Sequence, residues 1–162
     1  NQNATGSMWS PNGTQIFFSS SKARGSFGLG AEIYVMNADG SDPHRLTFRG
    51  DYNQEPDWSP RAGGQIAFTA RDERLKYDIF LVHPDNGGIT RLTQDQGNNA
   101  SPSFSPDGHH IAFSSTRAPH YGKKLYIMNA DGRNQRRILR TNGEVETPSW
   151  GPRVGYLSAA PQ

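Results

Sequence analysis

Five histidines, a glycine-rich run and two Asn-Ala-Asp-Gly segments are the residues of this chain whose types could do chemistry. His109-His110 is an adjacent pair, but no carboxylate stands at metal-ligand spacing from it, so it reads as a solvated turn. His44 flanks a strand, His83 ends one and His120 lies in a loop. No Gly-x-Ser-x-Gly places a nucleophile on a sharp turn, and no triad can be built from these positions. The absence of cysteine excludes disulfides, thiolate zinc sites and cysteine catalysis. The run from Lys22 to Ala31, KARGSFGLGA, would need a following helix to cradle phosphate, and none is predicted, so it reads as an extended loop. Asn-Ala-Asp-Gly at Asn37 and Asn129 lacks the sixth-position glycine and twelfth-position glutamate of a calcium loop and reads as a hairpin turn. Arg49-Gly50-Asp51 matches an adhesion tripeptide but falls where each unit of the chain places a connecting loop. The residues imply a chain without catalytic groups, metal or cofactor.

The elements around these residues recur. Trp58, Phe104 and Trp150 are spaced 46 residues apart, and so are Tyr34, Phe80 and Tyr126, and Leu46, Leu92 and Ile138. A period of 40 to 50 residues marks a propeller, solenoid or array. The clearest copy runs from Ser101 to Ile138. Ser101 to Phe104 is a strand, Ser105-Pro106-Asp107-Gly108 a turn, and Ile111 to Ser115 a second strand. Lys124 to Asn129 is a third, Asn-Ala-Asp-Gly its hairpin, and Arg136 to Leu139 the fourth. Leu125 and Ile127 alternate with Tyr126 and Met128, so the third strand is apolar on both faces and its sheet must be stacked between neighbours. The fold class is therefore all-β, a β-propeller of four-stranded antiparallel blades. Repeats fall at about 7–48, 55–93 and 101–140, with a partial closing unit at 147–158 that ends after a brief Val154 to Leu157 strand. Trp9, Trp58, Phe104 and Trp150 occupy one repeat position and are expected to pack between blades.

With 33% hydrophobic residues, 18 glycines and 11 prolines, the composition suits a turn-dense β protein, because those residues recur at fixed positions. Seventeen basic and 15 acidic residues leave a formal charge of +2, too weak a field for a nucleic-acid protein. Only Arg133 to Arg140 is locally basic, as a solvated outer strand would be. No apolar run reaches membrane-spanning length, and the first residues show no export-signal pattern. Connections between blades have constant length, whereas the loops between second and third strands vary. Both emerge on the same face of the disc, which marks that face for binding.

Trp58-Ser59-Pro60, Ser105-Pro106-Asp107-Gly108, Ile111-Ala112-Phe113, Ile33 to Gly40 and Arg45-Leu46-Thr47-Phe48 together resemble the WD-like propeller repeat of the TolB family, over essentially the whole chain. Two further features match that family: a tryptophan motif near the end, Thr147-Pro148-Ser149-Trp150-Gly151-Pro152, and the connection Leu46 to Asn53. Gly151 departs from the family's serine. The resemblance implies a periplasmic component of the Tol-Pal system, with roles in outer-membrane integrity, cell division and protein transport. The expected partners are a Pal-like lipoprotein and inner-membrane Tol proteins. It also implies a six-bladed propeller after an N-terminal α/β domain and an export signal. Measured against that, this sequence is expected to be about three and a half blades of the C-terminal portion. Its open edge would be completed by missing blades, by another chain, or by a second copy giving a seven-bladed pseudo-ring. Geometry nominates Arg24, Arg71 and Arg117 in the variable loops as partner contacts. Asp51, Tyr52, Asn53, Asn98, Asn99 and Glu144 are nominated in the connections.

Related propellers accompany serine peptidases of the prolyl-oligopeptidase and tricorn type, so an accessory gating propeller is the rival reading. A lectin or adhesin would need aromatic platforms, and Phe27, Tyr52, Tyr77 and Tyr121 are too scattered along the chain to supply one.

Overall fold

In the first and third units the turn after the inner strand is built by its own serine. In Ser10-Pro11-Asn12-Gly13 and Ser105-Pro106-Asp107-Gly108 the serine hydroxyl donates to Asn12 Oδ1 (2.7 Å) and Asp107 Oδ1 (2.6 Å). It also accepts the amides of Gln15 (2.9 Å) and His110 (3.0 Å). Gly13 and Gly108 take the left-handed φ of 70° and 67° that the turn demands. Asn-Ala-Asp-Gly closes the second hairpin of the first and third units through the Gly40 and Gly132 amides, which bond to the Asn37 and Asn129 carbonyls at 2.9 Å.

The computed structural model describes residues 4–21, 30–48, 51–61, 63–117, 122–138 and 143–151. Among them are twelve strands and no helix: β1 Ala4–Trp9, β2 Gln15–Ser20, β3 Glu32–Asn37, β4 His44–Arg45, β5 Asp51–Trp58, β6 Ile66–Arg71, β7 Tyr77–Val82, β8 Ile89–Arg91, β9 Asn99–Phe104, β10 His110–Ser115, β11 Lys124–Asn129 and β12 Arg136–Arg137. They form three antiparallel four-stranded sheets, β1–β4, β5–β8 and β9–β12, each paired in chain order. No described helix is long and apolar enough to cross a membrane.

Alternation within each strand sends side chains to two different neighbours. Ile66, Phe68, Ala70 and Val82 of the second sheet meet Phe17, Ile33, Val35 and Leu46 of the first. Ala67, Ile79 and Leu81, on the opposite face of that sheet, meet Phe104, Ile111, Phe113, Tyr126 and Met128 of the third. Both cores thus lie between sheets, as the doubly apolar strands require. Burying each large side chain contributes about 1.5–3 kcal/mol. The inner strands β1, β5 and β9 lie beside one another, which places the axis of an open, incomplete propeller along them.

Strand limits differ from the sequence reading in two ways, each with a local cause. The inner strands start earlier, at Asp51 and Asn99, so the residues between the expected repeats, which read as connections, are partly strand. Pairing continues because β-bulges absorb the extra residues, one in β1, two in β5 and one in β9. The left-handed residue sits at the same repeat position each time: Gly6 (φ 59°), Glu55 (54°), Ser101 (54°) and, in the closing unit, Thr147 (43°). The outer strands are shorter than expected, because a threonine hydroxyl replaces the backbone as ladder partner. Thr47 Oγ1 accepts the Ile33 amide at 3.0 Å, and Thr93 Oγ1 the Ile79 amide at 2.9 Å. The expected Val154 to Leu157 strand lies outside the described residues.

Candidate functional site

Where the outer strand of one blade passes to the inner strand of the next, the sequence repeats an acid, an arginine, a threonine and an asparagine. In the first copy Glu32 is fully buried and accepts from Arg45 (2.7 Å), Thr47 Oγ1 (2.7 Å) and Asn53 Nδ2 (2.8 Å). In the second, Asp78 accepts from Thr93 Oγ1 (2.6 Å), Asn99 Nδ2 (2.9 Å) and the Arg91 guanidinium, which also reaches Asp72 at 2.7 Å. Each asparagine therefore pins its inner strand to the preceding blade. Lys124 takes the acid's place in the third copy, and its ammonium donates to the Gly143 carbonyl at 2.9 Å, tying the connection down by a different bond.

These nodes relocate several residues nominated from the sequence. Asn53 and Asn99 have side chains 1% and 0% exposed, inside the fold rather than on a loop surface. Arg117 donates to Asn99 Oδ1 (2.8 Å), Ser115 Oγ (2.9 Å) and Gln135 Oε1 (3.0 Å), and stacks over Tyr126 at 4.6 Å. Burial holds its guanidinium below its ordinary pKa. The signal for this was present in the sequence: Glu32 and Asp78, Arg45 and Arg91, Thr47 and Thr93, and Asn53 and Asn99 all share the repeat spacing. Arg24, with Phe27, His120 and Tyr121, lies outside the described residues, and Asp51 begins β5.

The remaining nominees gather at the connection end of the inner strands. Tyr52 meets Tyr77 edge-on, with ring centroids 5.6 Å apart, and the Arg71 guanidinium stands 5.9 Å from the Tyr52 ring. Asn98 accepts the Tyr77 amide at 3.1 Å. Tyr52, Tyr77 and Asn98 border a cavity of about 310 Å³ between the second and third blades, which Glu55, Thr116 and Lys123 also line. Glu144 is exposed nearby. Gly122, against which its carboxylate lies, takes a left-handed φ of 71° that favours glycine.

Glu55 and Lys123 were not nominated from the sequence. Glu55 is exposed on the bulge of β5, and its carboxylate accepts from Thr69 Oγ1 (2.8 Å), the Ser101 amide (2.9 Å) and Ser101 Oγ (3.2 Å). Lys123 donates to Glu146 at 2.6 Å, and that bond, reinforced by the charges of Glu146, Glu55 and Glu144, raises the pKa of its ammonium.

Of the repeat aromatics, Trp58 packs on Phe17 of the preceding blade (4.5 Å between centroids) and Phe104 joins the second core. Trp150 Nε1 donates to the Ser103 carbonyl at 2.9 Å. Trp9 is 57% exposed. On the opposite, turn-bearing face the Arg61 guanidinium meets His109 Nδ1 at 3.1 Å. Among the described residues no group of three or more His, Asp or Glu side chains could hold a metal ion.

Stacked antiparallel four-stranded sheets, with inner strands side by side and cores between sheets, define a portion of a β-propeller. The family model described as TolB beta propeller domain matches residues 1–154. The chain belongs to that family. A 36-residue stretch, 22% of the chain, is 67% identical to the Tol-Pal system protein TolB of Myxococcus xanthus and covers 8% of it. The structure of a putative TolB from Agrobacterium tumefaciens aligns with a TM-score of 0.74 at 27% identity, over 85% of this chain and 47% of that one. TolB from Acinetobacter baumannii aligns with the same score and identity over 94% of this chain and 35% of its own. The chain thus spans about half, or less, of the relatives it matches. Peptidase propellers share the fold alone, as in a puromycin hydrolase at 18% identity and a TM-score of 0.61.

Proposed function

We propose that this chain is a propeller portion of a TolB-like, non-enzymatic scaffold of the Tol-Pal system, exported to the periplasm. In this reading it docks a Pal-like lipoprotein on the face that carries the blade connections. Roles in outer-membrane integrity and cell division follow from that assignment, as does cooperation with inner-membrane Tol proteins. The observation that carries the reading is the convergence, on that one face, of the Tyr52–Tyr77 pair and the adjoining cavity within a TolB-family propeller. Aromatic side chains around a depression are the usual anchors of a protein interface.

The test is direct binding of a purified Pal-type lipoprotein to the chain by calorimetry, alongside Tyr52→Ala and Tyr77→Ala. Each substitution is expected to weaken binding about 10-fold or more while leaving the melting transition near that of the parent. Binding that survives both unchanged would remove this face from consideration. The accessory propeller of a serine peptidase is the rival reading. It is supported only at the level of fold, by neighbours of low identity.

A further inference from the structure

Arg45 and Arg91 are held in one recurring arrangement, an aromatic ring on one side and a carboxylate on another. Arg45 lies 4.9 Å from the Phe48 ring and 2.7 Å from Glu32. Arg91 lies 5.7 Å from the Phe80 ring and bonds to Asp78 and Asp72. The pairing suits a guanidinium, whose flat face meets the ring's negative potential while its edge meets the carboxylate.

The cavity at the connection face offers both components, and neither of the cations beside it, Lys123 and Arg71, forms an ion pair with its carboxylate. Tyr52 and Tyr77 supply the rings and Glu55 the carboxylate. The donors that fix the Glu55 carboxylate are neutral hydroxyl and amide groups, and none of the described cations forms an ion pair with it. Lys123, the basic side chain of the lining, is already engaged by Glu146, with Glu144 beside it on the same segment. Arg71 stands over Tyr52, which shows that this ring accepts a guanidinium. Glu55, Glu144 and Glu146 still outnumber Lys123 and Arg71, so the local balance is negative. A volume of about 310 Å³ admits one long side chain rather than a folded element.

Resting on the interaction reading above, we propose that this cavity receives a single cationic side chain, arginine or lysine, from the docked protein partner, between the Tyr52 and Tyr77 rings and the Glu55 carboxylate. The slot supplies specificity: a neutral side chain of the same length would leave the carboxylate facing an uncharged group.

The probe is a capped Gly-Arg-Gly peptide, compared with its citrulline counterpart, which keeps shape and loses charge. Both are titrated into the full chain and followed through the tyrosine ring resonances by NMR. The arginine peptide is expected to bind about 10-fold more tightly, with shifts at Tyr52 and Tyr77 and weakening in added salt. Glu55→Gln is expected to abolish that preference. Lys123→Gln, which leaves the Glu55 donors in place, is expected to strengthen binding of the arginine peptide about 3-fold. Equal affinity for the two peptides, or no response at either tyrosine, would overturn the slot. A second arm separates this claim from the one beneath it. If a Pal-type lipoprotein binds parent and Glu55→Gln alike, the slot falls and the docking face stands. If the lipoprotein does not bind while the peptides are still discriminated, the partner assignment falls and the slot stands.

Discussion

Asn99 is fully buried between the second and third blades and donates to Asp78, so its contribution is to satisfy a buried carboxylate rather than to meet a partner. Asn99→Ala leaves that carboxylate short of one donor. The expected loss is about 1–3 kcal/mol, read as a fall in the urea midpoint at unchanged slope. Asn98→Ala, next to it and only half-buried, is expected to cost less. Asp57 carries the opposite lesson. Burial pushes its carboxyl up to about 6 against the pull of the Phe104 amide, which bonds to it. The folded state thus favours the neutral acid. This group's stabilising contribution is complete below the ordinary value of 3.8 and is lost as pH rises through about 6. Asp57→Asn keeps an acceptor for the Phe104 amide and carries no charge. Thermal melts of this variant between pH 5 and 8 are expected to lie above the parent's at the alkaline end and to be flatter. The interior role of Asn53 and Asn99 was legible in the repeat spacing they share with Glu32 and Asp78. The Tyr52–Tyr77 contact was not, because a whole hairpin separates the two residues and only the passage between strands brings them together.

At the level of elements, the turns and middle strands were legible because proline, glycine and alternating apolar residues dictate them locally. Lys124–Asn129 is the strand the pattern predicts. The bulges were hidden because glycine marks the position only once, at Gly6, whereas Glu55 and Ser101 adopt left-handed backbone with no sequence sign of it. That backbone is the reason the inner strands extend past the expected start. Ser101→Val places a β-branched side chain at φ 54°, where such residues are strongly disfavoured. It is expected to lower stability by about 1–3 kcal/mol, while Ser101→Gly is expected to be tolerated better by the backbone. Comparing the two by denaturant titration separates strain from the lost hydroxyl, which both variants lack.

For the whole molecule, stability resides between sheets. Phe68 is 1% exposed and belongs to the core that joins the first two blades. Phe68→Ala is expected to cost about 3–5 kcal/mol. Hydrogen exchange should then quicken in β1–β3 as well as in β6, since both blades lose the same contact. The first blade also turns Ile16, Phe18 and Met36, all half-buried, toward the open side of the stack, where Trp9, opposite Ile16 on the neighbouring strand, is exposed. The double apolarity of each strand announced such a surface in the sequence. The most direct measurement for the central claim, that the connection face docks the protein partner, is hydrogen–deuterium exchange of the full chain with and without a Pal-type lipoprotein. Slowed exchange around Tyr52, Asn98, Thr116 and Lys123, with Ser59 to Gln65 and His109 unchanged, is the predicted result. Protection confined to that turn face, or none at either face, would contradict it.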